Sequence, residues 1–297
     1  MIKALVIGAA GQLGAATVER LKSGRDAHGN AFEVIALTRA DVDLTNGPAL
    51  RDAVLAAKAD VILNCAAYNN VDGAEDDPKT ALDVNAFAPR VLAEAAEETG
   101  ATFVHYSTDF VFDGNPSRTE PYTETDPARP QSVYGSSKLL GEWLAAQAPK
   151  HYVLRVESLF GGTYVRSSID KIISTILAGE DTRVFVDRVV TPSYVQDVIT
   201  ATLRLIDKSA PYGLYHCVNS GETTWLDLAR EIAGLLDREP RLVPVKVADV
   251  KLRAKRPQYC ALSNRKLAEA GIDMPVWQDA LRRYLEAVQA RNAAKTT

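Results

Sequence analysis

The chain of 297 residues carries 34 Lys and Arg against 38 Asp and Glu, a formal charge of −4, and is 46% hydrophobic. It is long enough to bury a sizeable core, and it offers no global basic face for nucleic acid or an anionic membrane. Cys65, Cys217 and Cys260 are too widely spaced for a disulfide framework or a C-x-x-C metal pair, and the absence of a signal-peptide core or a membrane-length apolar span predicts a soluble cytoplasmic protein acting on a small molecule.

In chain order, apolar runs predict strands at Lys3 to Gly8, Phe32 to Leu37, Asp60 to Cys65, Thr102 to Ser107 and His151 to Val156. Each is apolar almost throughout, the pattern of parallel strands covered on both faces. Helical spacing fills the gaps at Gln12 to Lys22, Pro48 to Lys58, Pro78 to Thr99 and Ser132 to Gln147, and Pro48 and Pro78 fall where a first helical turn accepts proline. This alternation predicts an α/β fold, a doubly wound parallel sheet of Rossmann type with right-handed crossovers.

After Val156 the rhythm loosens into "GGTYV", a helix near Ser167 to Leu177, a short "TRVFV" run and a helix from Tyr194 to Ile206. One more strand-like run, "GLYHCV", precedes helices near Trp225 to Leu236 and Gln278 to Arg291. The expected organisation is a dinucleotide-binding domain formed by residues 1–160 and about 186–216, with a smaller mixed α/β substrate-binding region formed by about 161–185 and 217–297.

The first strand-to-helix junction, "VIGAAGQLGAATVERL", spaces Gly8, Gly11 and Gly14 three apart, with Gln12 and Leu13 between them. Glycines there permit a tight turn, let backbone N–H groups approach a pyrophosphate and bring helix close to strand. At the end of the second strand, Thr38 and Arg39 stand where a carboxylate would select an unphosphorylated ribose, and Asp41, Asp43 and Leu44 follow. A guanidinium pairs with a 2′-phosphate, so NADPH is favoured over NADH; a solvated surface arginine is the alternative. After the third strand, Ala66 and Ala67 leave room for a flat ligand that Tyr68 could edge, although a plain turn predicts the same string.

Tyr134 and Lys138 are four residues apart at the start of a helix, hence on one face. An adjacent ammonium favours a phenolate, which makes a tuned acid/base of a group whose pKa in water is about 10. Ser107 and Thr108 close the fourth strand at the carboxyl edge, where ligands bind in such sheets. A hydroxyl there can donate to a carbonyl oxygen that becomes an alkoxide. His28, His105, His151 and His216 are scattered and form no metal cluster in the sequence, and Trp143, Trp225 and Trp277 sit in helical patterns that predict core packing.

The strings "GAAGQLG", "NCAAYNNVDGAE", "YSTDFVFDG", "PQSVYGSSKLLGE", "VDRVVTPSYVQDV" and "RPQYCALSNRKL" occur in this order across nearly the whole chain. Together they resemble the dTDP-4-dehydrorhamnose reductase family of extended short-chain dehydrogenases/reductases. The resemblance implies hydride transfer from NADPH or NADH to the C4 ketone of a nucleotide-linked 4-keto-6-deoxy sugar. It implies that Thr108 holds the substrate oxygen, that Tyr134 donates the proton, and that Lys138 lowers the phenol pKa and grips the nicotinamide ribose. Asp109 and Val111 match positions that shape the sugar pocket, and Arg256 falls in the part that encloses the nucleotide diphosphate. The family commonly follows its fifth strand with a Thr-Ser-Trp type string, whereas this chain reads "RVESLFGG", placing Glu157 and Ser158 in the substrate region and leaving the sugar open. Some members bridge subunits through a glutamate-held metal; Ala16 stands near one such position, so no metal is expected. A homodimer is left open, as are two other functions: an epimerase or dehydratase that retains its cofactor, and a non-catalytic dinucleotide-binding regulatory subunit.

Overall fold

Strand runs that are apolar on both sides need helices on both faces, and alternate side chains of the first strand divide between two cores. In this computed structural model, which describes residues 1–25, 29–162 and 167–296, with side chains to residue 291, the strands β1 (Lys3–Ile7), β2 (Glu33–Leu37), β3 (Val61–Asn64), β4 (Thr102–Thr108), β5 (His151–Val156) and β6 (Gly213–His216) form one parallel sheet. Their order is β6-β5-β4-β3-β1-β2. His28 and the Thr163 to Val165 part of the "GGTYV" string lie outside the described residues.

Ala4 and Val6 pack with helix α1 (Gln12–Ser23), whereas Leu5 and Ile7 pack on the opposite face with α2 (Gly47–Ala57) and α3 (Ala88–Thr99). Helix α4 (Val133–Ala145) joins the second face and α5 (Val195–Asp207) the first. The doubly wound parallel sheet expected from the sequence is therefore the observed architecture. A single helix over Pro78 to Thr99 is not: a π-helical turn at Asp83–Phe87 separates Pro78–Leu82 from α3. Such turns commonly mark functional sites, and this one carries Asn85.

A second core gathers Phe160, Ile169, Ile172, Trp225, Leu228, Leu281 and Tyr284 beside the carboxyl edge of the sheet. The sequence reading missed the strand Arg241–Val245, which pairs in parallel with Asp181–Phe185. Its residues are largely exposed and Pro244 lies inside the run, which argues against a strand in the sequence. No described helix is long and apolar enough to cross a membrane.

Between β4, β5 and α4 lies a buried ion pair. Arg155 donates from Nε and Nη2 to the two oxygens of Glu142 at 2.8 and 2.7 Å, and Ser107 Oγ donates to Glu142 Oε1 at 2.6 Å. The Arg155 and Glu142 side chains are 4% and 5% exposed. Removing one partner of such a pair strands the other charge, so Glu142→Leu is expected to cost about 3–5 kcal/mol, measured as a lower urea midpoint.

Candidate active site

The turn after β1 is built by steric necessity. Gly8 has φ +78°, and a Cβ there would lie 2.8 Å from Ala66. A Cβ on Gly14 would lie 2.2 Å from the Gly8 carbonyl oxygen. Gly11, in contrast, would place a Cβ near Gly8 O alone, at 3.2 Å, and it lines the cavity. It is the N-cap of α1 and gives no side-chain hydrogen bond to the helix end, leaving an uncapped helix terminus of the kind that accepts phosphate oxygens. Gln12 Nε2 donates to Gly161 O at 2.8 Å, fastening the turn to the loop beyond β5.

The turn opens on a cavity of about 830 Å³ at the carboxyl ends of β1, β3, β4 and β5. This is the crevice where the strand order reverses, the usual ligand position in such sheets. Gly8, Gly11, Gln12, Leu13, Thr38, Arg39, Asp43 and Leu44 line one end, with Ala66, Ala67 and Tyr68 along the side. Gly14 is packed beneath the turn. Asp41 accepts from the Thr38 backbone and hydroxyl at 2.8 and 2.7 Å, and Asp43 accepts from both Thr45 groups at 2.9 Å, so these carboxylates shape their own loop. Arg39 is exposed at the rim.

Asn85 of the π-helical turn joins two cavity walls. Its Oδ1 accepts from Tyr68 N at 2.8 Å, and its Nδ2 donates to Tyr68 O at 3.2 Å and Ser137 Oγ at 3.0 Å. Nothing in the local sequence marked this residue, because its role depends on the extra residue in the helical turn.

Thr108, Asp109, Tyr134 and Lys138 all line this cavity. Ser107, the other hydroxyl at this strand end, is committed to Glu142. Thr108 Oγ1 donates to Asp109 Oδ1 at 3.1 Å and accepts from Phe110 N at 3.3 Å. Helix α4 starts at Ser132, whose Oγ accepts from Gly135 N at 3.1 Å, so Tyr134 enters in the first turn. The Phe110 ring packs edge-on to the Tyr134 ring, with centroids 5.4 Å apart.

The electrostatics differ from the expectation that Lys138 lowers the phenol pKa. Burial pushes Tyr134 up to about 12, opposed by the Thr108 hydrogen bond and reinforced by the Asp109 charge. Lys138 turns toward β4, donating to Tyr106 O at 2.6 Å, with His105 Nε2 at 3.4 Å. Burial lowers Lys138 to about 8 despite the opposing Glu142 charge.

Other expected residues lie away from the cavity. Val111 is buried with Phe112, Tyr122 and Leu139. Arg256 Nη2 pairs with Asp72 Oδ2 at 2.8 Å. Ser158 does line the cavity, in a left-handed conformation with φ +44°. Glu157 sits behind the wall, 2% exposed. Arg188 and Trp225, absent from the expected site, line both this cavity and an adjoining one of about 340 Å³ that also contains Lys171, Arg183 and Phe185. Trp225 also belongs to the second core, as its helical pattern suggested, but its indole N–H has no protein acceptor.

The chain matches the family described as RmlD substrate binding domain over residues 2–290. It is 36% identical over 291 residues to the dTDP-4-dehydrorhamnose reductase of Mycobacterium tuberculosis, covering 95% of this chain and 92% of the relative. It is 33% identical to the Bacillus subtilis spore coat polysaccharide biosynthesis protein SpsK, covering 96% and 98% of the two chains. Among solved structures, a dTDP-4-dehydrorhamnose reductase from Clostridium acetobutylicum aligns with a TM-score of 0.89 at 35% identity, covering 97% of this chain and 100% of the other. The Bacillus anthracis enzyme of the same name, solved in complex with NADP, gives 0.89 at 30% identity, covering 96% and 99%.

The steric reading of the turn is tested by Gly14→Ala. Because the clash is with backbone, the variant is expected to lower dinucleotide affinity roughly tenfold or more, together with stability; fluorescence titration with NADPH and thermal melting measure the two effects.

Proposed function

The chain belongs to the RmlD substrate binding domain family, and from that premise we propose that it is a nicotinamide-dependent oxidoreductase that reduces the C4 ketone of a nucleotide-linked 4-keto-6-deoxy sugar. The observation that carries this reading is the convergence of Thr108, Tyr134 and the glycine turn on one cavity. The crowded Gly8 and Gly14 positions and the uncapped start of α1 fit a dinucleotide pyrophosphate. When bound, the dihydronicotinamide supplies the hydride.

Thr108 donates to the ketone oxygen and polarises the carbonyl. Tyr134 holds its proton firmly until negative charge develops on that oxygen, then transfers it, completing the alcohol and leaving a phenolate. Lys138, one helical turn away on the same helix, is the donor assigned to the cofactor ribose. Residues 1–160 and about 186–216 serve as the dinucleotide-binding part, and about 161–185 with 217–297 enclose the substrate, a division supported by the separate second core. Lys171 and Arg183 provide positive charge for the substrate diphosphate, and Phe185 and Trp225 provide aromatic surface for its base.

A spectrophotometric screen of NADPH and NADH oxidation against dTDP- and UDP-linked 4-keto-6-deoxy sugars tests this function. Stoichiometric oxidation is expected with at least one sugar; isomerised sugar with unchanged cofactor would instead identify an epimerase. On the sugar found, Tyr134→Phe is expected to lower kcat about 10²–10⁴-fold, with Thr108→Val giving a smaller loss.

The exposed Arg39 at the rim supports preference for NADPH, since Asp43 is engaged by Thr45. Arg39→Ala is expected to raise KM for NADPH roughly tenfold or more while changing that for NADH little, as loss of a charged hydrogen bond to a 2′-phosphate requires. Equal changes for both cofactors would assign the preference elsewhere.

A further inference from the structure

Behind Thr108 lies a buried group that the reaction described above does not use. Asp109, Glu157 and Cys260 are 4%, 2% and 1% exposed, and one donor atom of each lies within 4.8 Å of the others. Arg188 supplies the positive charge: Nε donates to Pro257 O at 3.0 Å and Nη2 to Cys260 Sγ at 3.5 Å. Burial pushes the Cys260 thiol well up, so the negative charge belongs to the carboxyl groups. Glu157 Oε2 accepts from Thr191 N at 2.8 Å and from Thr191 Oγ1. Glu157 Oε1 is buried without a partner.

Two buried carboxylates beside one guanidinium leave an uncompensated charge, which a retained proton removes. Glu157 Oε1 is its resting seat, since the other oxygen already accepts two hydrogen bonds. Resting on the reductase reading, we propose that Asp109 and Glu157 hold one proton between them and that its movement from Glu157 to Asp109 turns the Thr108 hydroxyl toward the ketone oxygen. In the structure the Thr108 proton is directed at Asp109. When the ketone takes that hydrogen bond, Asp109 accepts the proton from Glu157 Oε1 and donates back to Thr108 Oγ1. Thr108 retains its own proton, and one negative charge passes from Asp109 to Glu157.

The Thr191 donors receive that charge, which now stands farther from the alkoxide and phenolate being formed. Burial raises Asp109 to about 6 against the Arg188 charge, and burial followed by the Asp109 charge places Glu157 well above the ordinary carboxyl range. Tyr134 faces the pair through Thr108, and the Asp109 charge raises its pKa, so shifting the charge to Glu157 makes the phenol a better acid. Glu157 and Asp109 are in this sense positioning residues for Thr108.

Glu157→Gln keeps the shape and removes the transferable proton. At neutral pH kcat is expected to fall about tenfold, the scale of one hydrogen bond, and to recover as pH falls through about 6, where Asp109 acquires a proton of its own. The alkaline limb therefore moves acidward in the variant; a purely structural Glu157 would lower activity by one factor at every pH. Infrared difference spectra of the wild-type protein are expected to show a carboxyl that keeps its proton well above the ordinary carboxyl range, with a midpoint raised by Thr191→Val, which removes a donor favouring ionised Glu157. Superimposable pH profiles, or a wild-type spectrum with no such carboxyl, would overturn the proposal. The spectra need no sugar, so they decide the shared proton even where every 4-keto sugar fails as a substrate, a failure that would count against the reductase reading instead.

Discussion

The relative placement of Thr108 and Tyr134 depends on the acceptance of three hydrogen bonds by Glu142. Ser107 at the end of β4 and Arg155 in β5 both donate to this α4 carboxylate. A helix resting on a sheet by apolar contacts alone can slide with small changes in packing, whereas a buried ion pair that also accepts a hydroxyl has one favourable position. Tyr134 lies two turns before Glu142 on the same helix, so the pair fixes the phenol relative to Thr108, the next residue after Ser107. The desolvation of this ion pair is offset by full hydrogen bonding, and the Tyr68–Asn85–Ser137 connection holds the other side of the helix.

Burial then governs the chemistry. In water a phenol and an ammonium one helical turn apart would mainly influence each other through charge. Here both are enclosed, and desolvation moves Tyr134 up and Lys138 down. A phenol with a raised pKa keeps its proton until a stronger base appears beside it, which suits a donor whose acceptor becomes basic only as hydride arrives. The cost is sensitivity to nearby negative charge, with Asp109 the charge in question. On the proposed sharing of a proton, Glu157 behind Asp109 gives that charge somewhere to go.

The sheet was legible because a strand covered on both faces must be apolar at consecutive positions, and Ala4 to Ile7 in β1, Val61 to Leu63 in β3 and Tyr152 to Leu154 in β5 satisfy that condition, with Arg155 the buried exception. The glycine turn was legible from its three-residue spacing, although the atoms that exclude a Cβ at Gly8 belong to Ala66 beyond β3 and only those at Gly14 are local. Tyr134 and Lys138 could be placed on one helical face by spacing, but the direction of the Lys138 ammonium could not, because its acceptor Tyr106 O belongs to another element. Val111 and Arg256 followed the family pattern in sequence, yet the loop path sends one into a small core and the other to Asp72. Arg188 carried no local signal of comparable strength, since an arginine between short strands is ordinarily solvated. Its value comes from meeting Cys260 and Pro257 across the fold.

The roof of the cavity is also held by long-range ties. Arg283 donates through Nη1 and Nη2 to Asp197 at 2.9 and 2.7 Å, joining the helix Trp277–Thr296 to α5, and the same carboxylate accepts from Asn219 Nδ2 at 2.8 Å. Tyr284, the adjacent residue, donates to Asp170 in the helix Ser168–Ala178. Planar, bidentate pairing fixes orientation as well as distance, so the second core is seated on the sheet in a defined register. Ser158 is consequently framed by two anchored bodies at the seam, and its left-handed backbone is the local strain accepted where strand β5 must turn out of the sheet to meet that roof. On the proposed function, sugar selection follows from this seam, because Thr108 and Tyr134 lie on the sheet side whereas the opposite wall of the cavity is completed by Ile169 and Trp225 of the second core.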